Sequence, residues 1–137
     1  MGKKGFTLVE LLAVIVLISI ITLIAIPSIR YADKKITQKN YETKKELIKT
    51  AAEEYGDDYK ELIVYASTPT YYTDASGNSY PSLTITVRDL LRNGYITKDT
   101  DIKTEDVLDP RDDTSLLDKT IIVYIKNNRS YAKLNFN

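Results

Sequence analysis

The sequence GFTLVE at residues 5–10 opens an apolar run that extends to Ile26. The 21 residues from Phe6 to Ile26 carry a single charge, that of Glu10. As a helix, this run would span about 32 Å, which is enough to cross the hydrocarbon core of a bilayer. It is too long for the apolar core of a secretory signal peptide, and no A-x-A cleavage pattern follows it. We therefore expect a membrane-spanning helix over residues 6–26, after a short basic leader, MGKKG.

The carboxylate of Glu10 is out of place in such a helix. An acidic side chain costs about 2.5–3.5 kcal/mol at the bilayer centre and less toward either end, and it usually marks function. The alternative is that the Glu10 side chain extends to the lipid headgroups and has no further role. The residues alone leave both interpretations open.

Residues 4–10, KGFTLVE, followed by an apolar helix up to Pro27, resemble the prepilin signature of type IV pilins and pseudopilins. The resemblance covers about the first 30 residues. It implies that a membrane aspartyl peptidase cleaves after Gly5 and methylates the new N-terminus at Phe6. It also implies that Glu10 aligns each subunit with its neighbour during filament assembly.

The same resemblance implies a structural subunit of a pilus or pseudopilus that serves adhesion, motility, DNA uptake or secretion. Its expected partners are copies of itself, other pilins, the prepilin peptidase and an assembly platform protein. The chain would first be a single-pass protein of the cytoplasmic membrane, with its leader inside, and later part of an extracellular filament. The charges flanking the apolar run do not fix this orientation by themselves. A membrane-tethered binding or sensor domain on an uncleaved anchor is the alternative, and cleavage after Gly5 discriminates the two.

The composition favours one small exported domain without catalytic chemistry. Subtracting Lys3 and Lys4 from 19 basic residues and Glu10 from 19 acidic residues leaves 17 against 18, so the domain as a whole should not attract nucleic acid. The chain has no Cys and no His, which removes the commonest nucleophile, general base and zinc ligands. We expect no enzyme activity and no cofactor. Many Gram-negative pilins carry a disulfide, so the lack of Cys mildly favours a Gram-positive source.

The apolar run is expected to continue into an amphipathic helix over residues 27–56. Pro27 should bend or break the helix, because it removes a backbone hydrogen bond and its ring clashes with the preceding turn. The helical pattern nevertheless resumes at once, with apolar residues on one face and lysines and glutamates on the other. Gly56 is predicted to stop the helix at Tyr55. The apolar spacing from Asp57 onward could extend or restart it.

The remaining residues, 57–137, are expected to form a globular head. Turn-forming residues predict a loop over 67–82, more readily a solvated connector than a recognition loop. Thr86 and Asp89 resemble a capping box and predict a short helix over 87–93, ended by Gly94.

Residues 120–136 predict a β-hairpin that turns at Asn127 and Asn128. A two-residue turn there pairs Val123 with Ala132 and places the apolar side chains on one face, which should lie on the amphipathic helix. The predicted fold is therefore α+β and pilin-like: a long N-terminal helix packed on a small antiparallel sheet.

The segment from Thr97 to Lys119 is rich in aspartate and invites a calcium interpretation. Asp99 and Asp101 are its candidate ligands, although no EF-hand spacing is present. A solvated acidic loop with Asp-Pro turns explains the composition better, so no metal is expected.

Overall fold

The computed structural model of this protein describes residues 5–99 and 106–136, and within the first helix the side chains of residues 24–31 are not described. The chain divides into two units, residues 1–38 and 39–137. The secondary structure elements follow in chain order: α1 (Leu8–Asp58), α2 (Lys60–Val64), β1 (Thr70–Thr73), β2 (Ser79–Thr86), α3 (Val87–Arg92), β3 (Thr120–Lys126) and β4 (Arg129–Asn135). The protein is α+β with one antiparallel sheet, as the sequence predicts.

Helix α1 is assigned without interruption from Leu8 to Asp58, so Pro27 does not break it. The bend expected at Pro27 stays a prediction. The predicted stop at Gly56 is wrong, because α1 continues to Asp58 and the chain then re-enters a helix at Lys60, as the spacing after Asp57 had allowed.

Gly56 serves close packing rather than helix termination. It is buried, and a Cβ atom at this position would overlap the Ser130 hydroxyl and a γ-methyl group of Val123. Glycine therefore lets the backbone of α1 approach the sheet more closely than any other residue would. Nearby, the edge of β4 is hydrogen-bonded to the same helix: the Ser130 amide donates to Asp57 at 3.2 Å and the Ala132 amide donates to Glu53 at 3.3 Å.

The sheet is a four-stranded meander in the order β1-β2-β3-β4. The predicted register of the last hairpin is confirmed, with Val123 opposite Ala132 and Tyr124 opposite Tyr131. Asn127 and Asn128 both have positive φ, 51° and 65°, as a type I′ turn requires.

The loop predicted over residues 67–82 is wrong, because the structure has the hairpin β1–β2 there. Its turn is organised by the Asp74 carboxylate, which accepts hydrogen bonds from the amides of Ser76 at 2.9 Å and Asn78 at 3.0 Å. Gly77 completes the turn with a φ of 86°. The turn-forming residues therefore form the turn of a hairpin between two strands, and not a long loop. Pro81 is tolerated because it pairs only with β1, and the pairing of β2 with β3 begins at Ser82.

Helix α3 begins with the predicted capping box. The Thr86 hydroxyl accepts from the Asp89 amide at 3.3 Å, and the Asp89 carboxylate accepts from the Thr86 amide at 2.8 Å. Asn93 is the C-cap, and Gly94 follows with a φ of 80°.

Within the unit formed by residues 39–137, one hydrophobic core joins α1 to the inner face of the sheet. Alternating residues of β3 are buried, with Ile121 and Val123 inaccessible to solvent. They belong to one buried cluster with Ile48 and Ala52 of α1 and Leu90 of α3. The apolar face of the predicted hairpin therefore packs on α1, as expected.

Candidate processing and assembly site

The N-terminal motif is organised by a reciprocal contact between Thr7 and Glu10. Helix α1 begins at Leu8, so Thr7 is the residue that precedes its first turn. The Glu10 carboxylate accepts a hydrogen bond from the Thr7 amide at 2.8 Å and another from the Thr7 hydroxyl at 2.9 Å. In return, the Thr7 hydroxyl accepts from the Glu10 amide at 3.3 Å. This is the arrangement of a capping box, and it satisfies two backbone donors that a helix start otherwise leaves unpaired.

Sequence analysis did not identify the role of Thr7. The signal was present, because a Thr followed three residues later by a Glu is the sequence signature of a capping box. Glu10 therefore has a partner within its own chain. All of its described hydrogen bonds use one oxygen, Oε2, and none uses Oε1.

Gly5 and Phe6 lie before the helix. The first helical hydrogen bond runs from the Leu11 amide to the Thr7 carbonyl at 3.2 Å, so the Gly5-Phe6 peptide bond is outside the helical ladder. Apart from its neighbours in the chain, no described residue has an atom within 4 Å of the position that a Cβ would take at Gly5. Phe6 is 82% exposed. Both Gly5 and Phe6 are therefore exposed within the part of the chain that the structure describes.

The described apolar side chains of the first half of α1 are all exposed. Even Val14, the least exposed of the large ones, is 48% accessible. The two other polar residues of the run hydrogen-bond to their own helix: the Ser19 hydroxyl donates to the Ile15 carbonyl and the Thr22 hydroxyl to the Ile18 carbonyl, each at 2.7 Å. These hydroxyl groups therefore need no water or partner. Over the described residues, no helix meets the combined requirement of length and apolarity for crossing a membrane.

Asp99, one of the two candidate calcium ligands, is engaged by protein groups. Its carboxylate accepts from the Lys44 ammonium at 2.8 and 3.0 Å and from the Leu108 amide at 2.8 Å. Partial burial opposes its ionisation, but the hydrogen bonds from Lys44 and Leu108 outweigh this effect, and the pKa of Asp99 lies below its ordinary value. Asp101 lies outside the described residues. The described part of the chain contains no cluster of three metal-ligating side chains.

A second ion pair, between Asp109 and Arg111, lies in the same part of the head. The buried Asp109 carboxylate accepts from the Arg111 side chain at 2.6 Å, and the Arg111 guanidinium lies 3.4 Å from the centre of the Tyr41 ring. The hydrogen bonds from Arg111 lower the pKa of Asp109. Asp99 through Lys44, and Asp109 through Arg111 and Tyr41, thus attach this segment to α1, which is a structural use of their charge.

A cleft of about 460 Å³ lies beside the Lys44–Asp99 pair, with mostly apolar walls that include Ile48, Ile96 and Val107. Lys44 and Asp99, two of the three charged residues that line the cleft, form an ion pair at 2.8 Å.

Comparisons with known proteins agree with the N-terminal motif. The family described as the prokaryotic N-terminal methylation motif matches residues 1–26. The competence protein ComGC of Bacillus subtilis (strain 168) is 33% identical over 99 residues, which cover 72% of this chain and 80% of that protein. No solved structure is significantly similar. These relationships indicate a structural subunit that assembles with other pilins. The chain belongs to the type IV pilin and pseudopilin family, whose members carry the N-terminal methylation motif.

Proposed function

We propose that this protein is a filament subunit of a competence pilus, which takes up DNA. In this proposal, the prepilin peptidase cleaves after Gly5 and methylates Phe6, and an assembly platform protein then polymerises the subunits through residues 6–26. The observation that carries the proposal is the capped start of α1, with Glu10 at the head of an exposed apolar helix. The similarity to a competence protein supports the choice among pilus systems.

The exposed apolar surface of α1 explains why such a subunit has two successive environments. A contiguous apolar surface of this kind marks contact with a membrane or with other proteins. Before assembly, lipid would cover the side chains between Phe6 and Ile26, and after assembly, the same side chains would pack against copies of the helix. The internally bonded hydroxyls of Ser19 and Thr22 suit both environments.

Cleavage would create a positively charged partner for Glu10. Removing Gly5 creates an amine at Phe6, and this positive charge could pair with Glu10 of a neighbouring subunit. A carboxylate in apolar surroundings is costly unless its charge is compensated, so the pairing stabilises the assembled state and fixes the axial offset between helices. The hydrogen bonds from Thr7 go to Oε2 of Glu10, which leaves Oε1 to accept a hydrogen bond from the amine. Assembly would therefore require cleavage.

The test compares Glu10→Val and Glu10→Gln with a Gly5→Arg control in the full chain. Cleavage, membrane content, sheared filaments and DNA uptake are measured for each. We expect both Glu10 variants to be cleaved and held in the membrane but to form no filaments, and the control to stay uncleaved. Wild-type filament yield from Glu10→Val would contradict the role of the carboxylate. Recovery of filaments from chains that still begin at Met1 would contradict cleavage and favour an uncleaved anchor.

A further inference from the structure

We propose that two lysines that follow the apolar run of α1, Lys34 and Lys35, bind the phosphate headgroups of anionic phospholipids. This contact would hold the unassembled subunit at a fixed depth in the membrane. The inference rests on the proposed function, because it requires that lipid covers the side chains between Phe6 and Ile26 before assembly. We call Lys34 and Lys35 the lysine pair.

The lysine pair lies at the right distance from the apolar run. An apolar run as long as the hydrocarbon core is thick places Ile26 near the outer boundary of that core. Helix α1 continues through this part of the chain, so Lys34 and Lys35 follow Ile26 by about 12 and 14 Å along the helix axis. The headgroup layer is about 5–8 Å thick on each side of the core. The backbone of the lysine pair is therefore expected just beyond the headgroups.

Helix geometry directs the lysine pair back toward the lipid. Every Cα–Cβ bond of an α-helix tilts toward the N-terminus of the helix, which is the side of the apolar run. A long lysine side chain can therefore return its ammonium group to the headgroup layer. An ammonium group that stops short of the layer still lies within about 8 Å of it, the distance over which physiological salt screens a charge.

The lysine pair has no anionic partner in the described part of the chain. Lys34 and Lys35 are both exposed, and neither forms an ion pair with a described residue. Four lysines farther along α1 and in α2 do have a carboxylate within 2.8–3.6 Å: Lys44, Lys45, Lys49 and Lys60. The lysines near the head are thus paired within the chain, whereas the lysine pair is available to an external anion.

Membrane topology does not explain these cations. In the proposed orientation they lie outside the cell, whereas the positive-inside rule places the excess of lysine and arginine on the cytoplasmic side. Residues 27–35 contain three cations, Arg30 being the third, and one carboxylate, that of Asp33, so the net charge beside the apolar run is positive. Cleavage after Gly5 would remove Lys3 and Lys4 from the other flank. The outer flank would then carry most of the positive charge beside the membrane.

A lipid surface fits the lysine pair better than a second copy of this chain does. Helices of neighbouring copies that lie parallel and side by side would bring like charges together, which is unfavourable. An anionic headgroup instead offers one phosphate at the depth of the lysine pair, and each cation near such a surface strengthens the attraction by about fivefold. The contact would resist withdrawal of the subunit from the membrane until assembly provides other contacts.

The test reconstitutes the full chain in phosphatidylcholine vesicles. Electron spin resonance then measures the preference of the lipid bound around the protein for spin-labelled phosphatidylglycerol over spin-labelled phosphatidylcholine. The test variant carries Lys34→Gln and Lys35→Gln. The matched control carries Lys45→Gln and Lys49→Gln, which removes two charges from the same helix at lysines that already have partners. A third variant, Lys34→Arg with Lys35→Arg, keeps both charges.

We expect the wild-type chain to prefer phosphatidylglycerol and the test variant to lose about half of that preference or more. The control and the arginine variant should behave as the wild type does. At about 1 M salt, where the screening length falls to about 3 Å, the difference between the wild type and the test variant should disappear. Soluble glycerol phosphate should not displace the lipid, because it is not concentrated at a surface.

Several results would overturn the inference. They are an unchanged preference in the test variant, an equal loss in the control, or displacement of the lipid by glycerol phosphate, which would indicate a site for free phosphate. A preference that falls as the protein is diluted in lipid would indicate contact with a second copy instead.

The same preparation separates this inference from the proposed function. Flotation of the chain with the vesicles at high salt reports on the apolar anchor, and its failure would contradict the proposed function alone. The lipid preference needs no filament, so the loss caused by the two glutamines should be the same in a Glu10→Val chain that cannot assemble.

Discussion

Gly56 of α1 faces Ser130 of β4 at a separation that leaves no room for a side chain. The Ser130 hydroxyl at this contact is buried and has no hydrogen-bond partner among the described residues. At this contact between helix and sheet, the helix thus has no Cβ and the sheet has a hydroxyl without a hydrogen-bond partner.

Gly56→Ala should destabilise the head. Alanine gains about 1 kcal/mol over glycine in a helix, but overpacking a filled core costs about 1–3 kcal/mol or more, and two atoms overlap here. We expect a net loss of about 1–2 kcal/mol in the free energy of unfolding, measured by urea denaturation. Glu54→Ala, at an exposed position of the same helix, is the control and should change little. A stabilised Gly56→Ala protein would refute the close contact.

Ser130→Ala should leave stability unchanged or raise it by about 1 kcal/mol. Burying a hydroxyl without a partner is unfavourable, and alanine removes that hydroxyl while keeping the Cβ. Combined with Gly56→Ala, it should recover part of the lost stability, because one of the two overlapping atoms is gone. Strict additivity of the two changes in thermal denaturation would show that the residues do not interact.

Val123→Asp should unfold the head. Val123 is inaccessible to solvent in the centre of the core, and an unpaired buried charge costs several kcal/mol, which is comparable with the total stability of a small domain. Thr84→Asp, on the exposed side of β2, should keep a cooperative unfolding transition. A cooperative transition at the wild-type temperature in Val123→Asp would contradict the assignment of the inner face.

Thr7→Val should reduce filament yield without preventing cleavage. Valine has the shape of threonine but lacks the hydroxyl that bonds to Glu10, and losing such a cap costs about 1 kcal/mol, or about fivefold in an equilibrium. Thr7→Ser keeps the hydroxyl and should assemble normally. The assay is the ratio of sheared filaments to membrane-bound subunit. Equal yields from the two variants would show that the contact does not position Glu10.

The head should lose stability in acid. The pKa values of Asp99 and Asp109 lie below the ordinary value of 3.8, so their ionised forms stabilise the folded state. This contribution is fully present above the unfolded pKa and is lost as the pH falls through the folded pKa, that is, below about pH 4. Melting temperatures from neutral to acidic pH should show this fall. It should be smaller in Asp99→Asn than in Asp118→Asn, whose carboxylate is 85% exposed.

The sequence predicted the elements whose signals are local and agree with each other. In β3 and β4, the turn at Asn127 and Asn128 and the alternation of apolar residues select the same register, and the structure has that register. The first hairpin was missed because β1 is only four residues long and mostly exposed, so it lacks an apolar alternation. Its turn residues were interpreted as a loop.

The remaining differences arise from contacts between residues that are distant in the sequence. A glycine near the end of a helical pattern usually marks its end, and nothing local reveals that Ser130 needs the space at Gly56. Likewise, the pairing of Asp99 with Lys44 joins residues that are 55 positions apart. The Thr7–Glu10 contact is different, because its capping-box signature is local and can be recognised from the sequence alone.

The carboxylates of Asp57 and Glu53 accept hydrogen bonds from two outward amides of β4, those of Ser130 and Ala132, which hinders another strand from pairing with that edge of the sheet. Subunits in a filament are crowded side by side, which is the condition under which open edges join into fibrils. The other edge is the short strand β1, which ends in the tight turn at Asp74. In the proposed filament, these two features would keep the sheets of neighbouring subunits from joining, so that contacts between subunits are left to the helices.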